Sequence, residues 1–215
     1  MELRQIQTRV AVGEGRKLKG YAVRYNDRST HYIAPGTKER FAPNAFAKTL
    51  GSGADVRALF EHKAENLLGR TSSGTLQLRS DDDGLSFDLS LPDTQLGRDV
   101  YELTKRGDIR GMSFGFQCTD DAFSKEYDDE DGEEGFGDGE QMCIVRTVRA
   151  ANLLEISAVS EPCYETTSVL ARSHVDANIE ARAKAYALAN LNPREIDARN
   201  QVRVRILAAD LKYKL

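Results

Sequence analysis

A chain of 215 residues, 40% of them hydrophobic, holds enough apolar material to close one core with a tail or small appendage left over. Its formal charge of −4 is small and unevenly spread, acidic from Thr119 to Met142 and relatively basic after Arg172, which argues against a nucleic-acid binder. The opening residues Met1 to Gln5 lack the apolar core of a signal peptide, and no run approaches the roughly 18 apolar residues of a membrane helix, so a soluble protein without a cleaved export signal is expected. Three cysteines, Cys118, Cys143 and Cys163, form an odd set without CxxC spacing or a nearby histidine, which fits reduced thiols better than a disulfide framework or a zinc knuckle.

From Leu18 to Asn26, aromatic and β-branched residues mixed with polar ones and closed by Asn26-Asp27 predict a strand and its turn. Pro43 opens a segment that sets Phe46 and Leu50 one helical turn apart before Gly51-Ser52-Gly53, a short helix with a glycine stop. Val56, Ala58, Phe60 and His62 fall on one face of the next strand-like run, so an apolar stripe is expected to end in an imidazole. Leu76 and Leu78 alternate before Asp81-Asp82-Asp83-Gly84, and Leu85, Phe87, Leu89 and Leu91 alternate after it, the pattern of a β-hairpin. Thr94 can cap a helix whose Leu96, Val100 and Leu103 repeat at helical spacing, with Gly107 as its stop.

In the strand predicted from Gly111 to Cys118, Met112, Phe114, Phe116 and Cys118 point one way and Gly111, Ser113, Gly115 and Gln117 the other. Ser113 therefore stands on a face of small side chains, where a substrate backbone has room to approach. Thr119 to Met142 reads as an exposed acidic loop. Strand character resumes over Cys143 to Val148 and Asn152 to Val159, where Glu155 is expected on one face with Leu153, Ser157 and Val159. A carboxylate in a half-buried strand needs a partner, and Arg70 is one candidate. Val175 to Asn190 is alanine-rich and helical in composition, Pro193 interrupts it, and a further helix over Ile196 to Leu215 is possible from composition. There is no internal repeat.

Ser113, His62 and Glu155 have the chemistry of a nucleophile, its base and an orienting acid, provided the fold brings three remote stretches together. Gly111 to Gly115 also matches the G-x-S-x-G elbow of α/β-hydrolases. That elbow requires a helix directly after the serine, whereas period-two alternation continues past Ser113, and His174, the base the hydrolase order demands, lies beyond the apparent domain end.

A broader resemblance runs from about Leu18 to Leu170. The order Gly20-Tyr21-Ala22-Val23, Glu39-Arg40-Phe41-Ala42-Pro43-Asn44-Ala45-Phe46, Leu59-Phe60-Glu61-His62, Leu68-Gly69-Arg70, Gly111-Met112-Ser113-Phe114-Gly115-Phe116 and Leu154-Glu155-Ile156-Ser157-Ala158-Val159 resembles the prohead (capsid maturation) proteases of tailed bacteriophages. That family is distantly similar to the herpesvirus assemblins, and the resemblance implies an α+β, mainly β fold: a closed or nearly closed barrel with helices around it. It implies Ser113 as nucleophile and His62 as base; assemblins use a second histidine as third member, and Glu155 is the candidate for that place in this chain. Arg146 and Arg149 are possible counterparts of the arginine that assists the oxyanion in assemblins. Gly69-Arg70 either holds the turn after His62 or binds substrate. His31, in a polar loop, and His174 are weaker candidates for the base.

The implied organisation is a protease domain over residues 1–171, with the acidic loop at 119–142, and a helical C-terminal extension over 172–215. The implied activity is a serine endopeptidase that cleaves the major capsid protein and its scaffold segment, with its own chain as a further candidate substrate, inside the prohead in the host cytoplasm. A homo-oligomer, no metal or organic cofactor, no nucleic acid and no membrane complete that expectation. The other readings are a non-catalytic capsid assembly or scaffold factor that keeps the protease fold, a tail that docks on the capsid, and, less favoured, an α/β-hydrolase-type esterase.

Overall fold

The computed structural model describes residues 1–7, 10–13, 15–29, 33–34, 36–127, 142–160 and 177–190. Among these residues, one sheet is built from β1 (Glu2–Gln7), β4 (Thr37–Phe41), β5 (Arg57–Phe60), β6 (Lys63–Arg70), β9 (Gly111–Tyr127) and β10 (Met142–Val159). A second, antiparallel sheet has the order β2 (Ala11–Gly13), β3 (Lys17–Arg24), β8 (Gly84–Ser90), β7 (Leu76–Ser80). The helices are α1 (Ala47–Gly51), α2 (Gln95–Arg106) and α3 (Ala177–Ala189). No helix among the described residues is long and apolar enough to cross a membrane.

Local chemistry accounts for the elements that the sequence foretold. The β7–β8 hairpin turns where the Asp81 carboxylate accepts the N–H groups of Asp83 and Gly84 at 3.0 and 2.9 Å, an aspartate turn that leaves Leu85, Phe87 and Leu89 facing inward. Thr94 Oγ1 accepts the Gly97 N–H at 3.2 Å to start α2, and Gly107, at φ 86°, ends it in the left-handed conformation that a glycine adopts without a Cβ penalty.

The spine is the β9–β10 ribbon, 17 and 18 residues long. One edge of β10 runs along β9, while its other edge takes β4 at Ile144–Val148 and β5 at Glu155–Ala158, both parallel. Sharing one long strand between two short parallel partners curls the sheet into a half-barrel. The closed or nearly closed barrel expected from the resemblance is, in the described residues, a half-barrel with β1 and β6 at the ends of the main strand path. The core lies between the two sheets: Met112, Phe114, Phe116, Leu153, Ile156 and Ala158 from one meet Leu18, Val23, Leu76, Leu85 and Phe87 from the other. Phe41, Phe46, Phe114 and Phe116 form its aromatic centre, with ring centroids 5.1 to 6.1 Å apart.

Several expectations change. Residues Thr119–Tyr127 belong to β9 and pair with β10, so the acidic stretch contributes a strand before it leaves the described residues at 128–141. Strand runs expected to be separate form one β10, interrupted by bulges between Val148 and Ala151. A further bulge between Leu153 and Glu155 shifts the alternation by one residue, so Leu153 and Ile156 both enter the core and Glu155 and Ser157 turn to the opposite face. The first strand, β1, was not foreseen. Helix α3 lies within the predicted tail and buries Ile179 and Ala183, while Arg182 bonds Asp121 of β9. The helix considered over 196–215 lies outside the described residues.

Candidate functional site

His62 does not end a strand stripe as expected; it occupies the two-residue turn between β5 and β6. Phe60 pairs with Lys63 across that turn, and Glu61 and His62 have φ of 54° and 57°. Positive φ at both central positions is what such a tight hairpin requires, and it suits Asn-Gly far better than Glu-His. Holding non-glycine residues there costs about 1–3 kcal/mol each, which the surroundings must offset. The Glu61 N–H donates to Ala158 O at 3.1 Å, and the Glu61 carboxylate accepts both the N–H and the hydroxyl of Ser160 at 2.7 Å.

The strained turn lays the imidazole against the outer face of β10. His62 Nδ1 is 2.8 Å from Glu155 Oε1, and Glu155 is 2% exposed. A carboxylate only accepts, so Nδ1 carries a proton, and in the neutral ring Nε2 is then left with its lone pair. Nε2 is buried and has no hydrogen-bond partner among the described residues. The second carboxylate oxygen, Oε2, accepts from Ser157 Oγ at 2.6 Å, and Ser157 Oγ accepts the His62 N–H at 3.2 Å.

Ser113 lies directly across the ribbon from Ser157 in the β9–β10 register. Cross-strand partners point to the same face with Cβ atoms about 5 Å apart, so Ser113 shares the face that His62 covers. It is wholly buried rather than open to an approaching backbone, and its hydroxyl donates to the Arg4 carbonyl of β1 at 2.8 Å. The fold thus joins His62 and Glu155 directly and sets Ser113 beside them, without a Ser113–His62 hydrogen bond in this state.

The second glycine of Gly111-Met112-Ser113-Phe114-Gly115 finds its reason here. Gly115 is opposite Glu155, and a Cβ on it would lie 2.7 Å from Glu155 Oε1. The glycine makes room for the acid, and the chain runs straight on as strand, which removes the hydrolase-elbow reading.

Other expected partners are elsewhere. Arg70 binds Asp55, whose carboxyl it holds below the usual range, and not Glu155. Arg149 pairs with Asp120. Arg146 lies far up β10 from Glu155 and on the core face, 2% exposed, bonded by Nη1 to Glu2 at 2.6 Å and Glu39 at 2.7 Å and by Nε to Asp121 at 2.7 Å. Burial alone would lower its pKa, but the Glu2 hydrogen bond and the charges of Glu39 and Glu2 outweigh that and raise it. Neither arginine is placed to assist an oxyanion at Ser113. His31, Cys163 and His174 lie outside the described residues.

Sequence reasoning passed over Ser157, although its place two residues after Glu155 put it on the same strand face. It also missed the Arg146 cluster, whose only sequence signal is the alternation of Glu2 with Arg4 at the start of β1.

Taken together, a mainly β half-barrel carries a buried acid bonded to a half-buried imidazole next to a serine, the residue types of serine-nucleophile hydrolysis. A family model described as caudovirus prohead serine protease matches residues 4–181, and the chain belongs to that family. No curated protein and no solved structure matches it.

Proposed function

We propose that this chain is a serine endopeptidase acting in prohead maturation, with Ser113 as nucleophile, His62 as general base and Glu155 as the acid that orients it. The observation that carries the reading is the hydrogen bond from half-buried His62 Nδ1 to buried Glu155, which leaves an unpaired Nε2 on the face that holds Ser113. Turning the Ser113 hydroxyl from Arg4 O toward Nε2 would supply the acceptor that its proton needs. The oxygen then attacks the scissile carbonyl, His62 passes the proton to the departing amine, and water releases the acyl group by the same route in reverse. Glu155 fixes the imidazole tautomer throughout and stabilises the imidazolium that forms.

Family membership supports the capsid protein and its scaffold segment as substrates, with the enzyme working inside the prohead in the host cell. Cleavage of its own chain and assembly into a homo-oligomer belong to the same proposal. The burial of Ser113 favours one rival, a non-catalytic assembly factor that keeps the fold. Co-expression with the cognate capsid protein separates the two by intact mass: the wild type shortens the capsid protein and Ser113→Ala leaves it full length. Activity should fall by a factor on the order of 10⁶. Equal masses with both forms would defeat the proteolytic reading.

A further inference from the structure

We infer that Ser157 is a positioning residue of this site, one hydroxyl that fixes the orienting acid and the base at once. The inference rests on the catalytic reading above and names a fourth side chain within it.

A carboxylate that sets a tautomer must itself be held, since a free rotation about its last bond would swap the oxygen presented to the imidazole. Glu155 has each oxygen committed to a separate partner, Oε1 to His62 and Oε2 to Ser157. The Ser157 O–H is the donor in that second bond, because the carboxylate can only accept. Its lone pair is then free to accept the His62 N–H, and does so at 3.2 Å. A turn amide at a hairpin tip ordinarily faces water; here it faces the strand that carries the acid. The His62 backbone and the Glu155 carboxylate are thereby referenced to a single atom, and that atom belongs to a residue with no exposure, on a strand fixed on both edges by β9 and β5.

The neighbouring bonds do a different job. Glu61 with Ser160 and Glu61 N–H with Ala158 O anchor the turn, but none of them touches Glu155 or the His62 ring. Among the described side chains, Ser157 is the one that hydrogen-bonds both residues of the pair, Glu155 through its carboxylate and His62 through its backbone N–H. Without its hydroxyl, Oε2 and the His62 N–H both lose their partner in a buried place, and a buried polar group left unpaired drives rearrangement. The expected rearrangement is rotation of the carboxylate away from Nδ1.

The test compares full-length wild type, Ser157→Ala and Ser157→Thr, each also made in a Ser113→Ala background. Proton NMR follows the downfield His62 Nδ1–H signal, assigned by its loss in His62→Ala, and turnover of the cognate capsid protein gives kcat and KM. Ser157→Ala should erase or broaden the signal in both backgrounds and lower kcat about 10- to 100-fold with KM within about twofold. Ser157→Thr, which keeps the hydroxyl, should restore both. A normal signal in Ser157→Ala overturns the inference, whatever the kinetics. Loss of the signal in Ser157→Ala, alongside a wild type that cuts no capsid protein, would uphold the positioning geometry and sink the protease reading instead. Should Ser157→Ala prove too unstable to measure, the Ser157→Thr signal decides: its presence at the wild-type position supports the shared hydroxyl, and its absence in a folded protein refutes it.

Discussion

The two faces of the β9–β10 ribbon both bury carboxylates, and they satisfy them in opposite ways. On the core face, Glu2, Glu39 and Asp121 surround Arg146, and Arg4 and Arg182 close the cluster from outside. Each acid there meets a permanent cation. On the outer face, Glu155 has no lysine or arginine partner among the described residues, only an imidazole and a hydroxyl. A guanidinium does not give up its proton, so an acid bonded to one serves the architecture. One fixed to an imidazole can share in proton movement at neutral pH, which is what a base-orienting residue has to do. Arg4 links the two sides: its side chain bonds Glu39, and its carbonyl takes the Ser113 hydroxyl.

The sharpest way to break the comparison is to neutralise an acid on the outer face. Glu155→Gln should lower kcat by about 10⁴, as expected when the orienting carboxylate is lost, while the melting temperature changes little. A mutant that keeps full activity would show that the outer acid is architectural after all. Next comes the core face, where Arg146→Ala removes the buried cation shared by three carboxylates, leaving them only Arg4 and Arg182 at the rim, and should cost about 3–5 kcal/mol in denaturant unfolding. A loss below about 1 kcal/mol would mean that water reaches the cluster and that the two faces are less different than their burial implies.

Gly115→Ala probes the space itself. The added methyl meets Glu155 Oε1 and should cost about 1–3 kcal/mol, with a loss of activity larger than the loss of stability because the displaced atom is the one bonded to His62. Equal activity would place the acid's working position elsewhere.

The smallest effect is acid titration of the core face. Burial would raise the Asp121 pKa, but hydrogen bonds from Arg182 and Arg146 outweigh it and hold the carboxyl below its usual value. A depressed folded-state pKa contributes stability that is fully present above the unfolded value and is lost as pH falls through the folded one. Unfolding free energy should therefore decline as pH drops below about 5, and Arg182→Ala should flatten that decline. An unchanged slope would remove Asp121 from the cluster's contribution.

The predicted elements that held were those written in local chemistry. The aspartate-rich turn between Leu78 and Leu85, the threonine cap and glycine stop of α2, and the short helix before Gly51-Ser52-Gly53 each depend on residues within one or two turns of chain. The alternation of Met112, Phe114 and Phe116 also marked the core face of β9, because one face of that strand is apolar without interruption. The site was legible only as a set of residue types in a recognisable order. The sequence could not reveal the bulge that turns Glu155 away from Leu153, since a one-residue shift in pairing leaves no mark on composition. Nor could it place His62 in a turn, because Glu-His is a poor primed-turn pair and the bonds that hold it come from β10, far along the chain. Local propensity and periodicity determined which segments could be strands or helices; register, bulge and long-range hydrogen bonds decided which face each acid occupies, and only the folded chain brings those together.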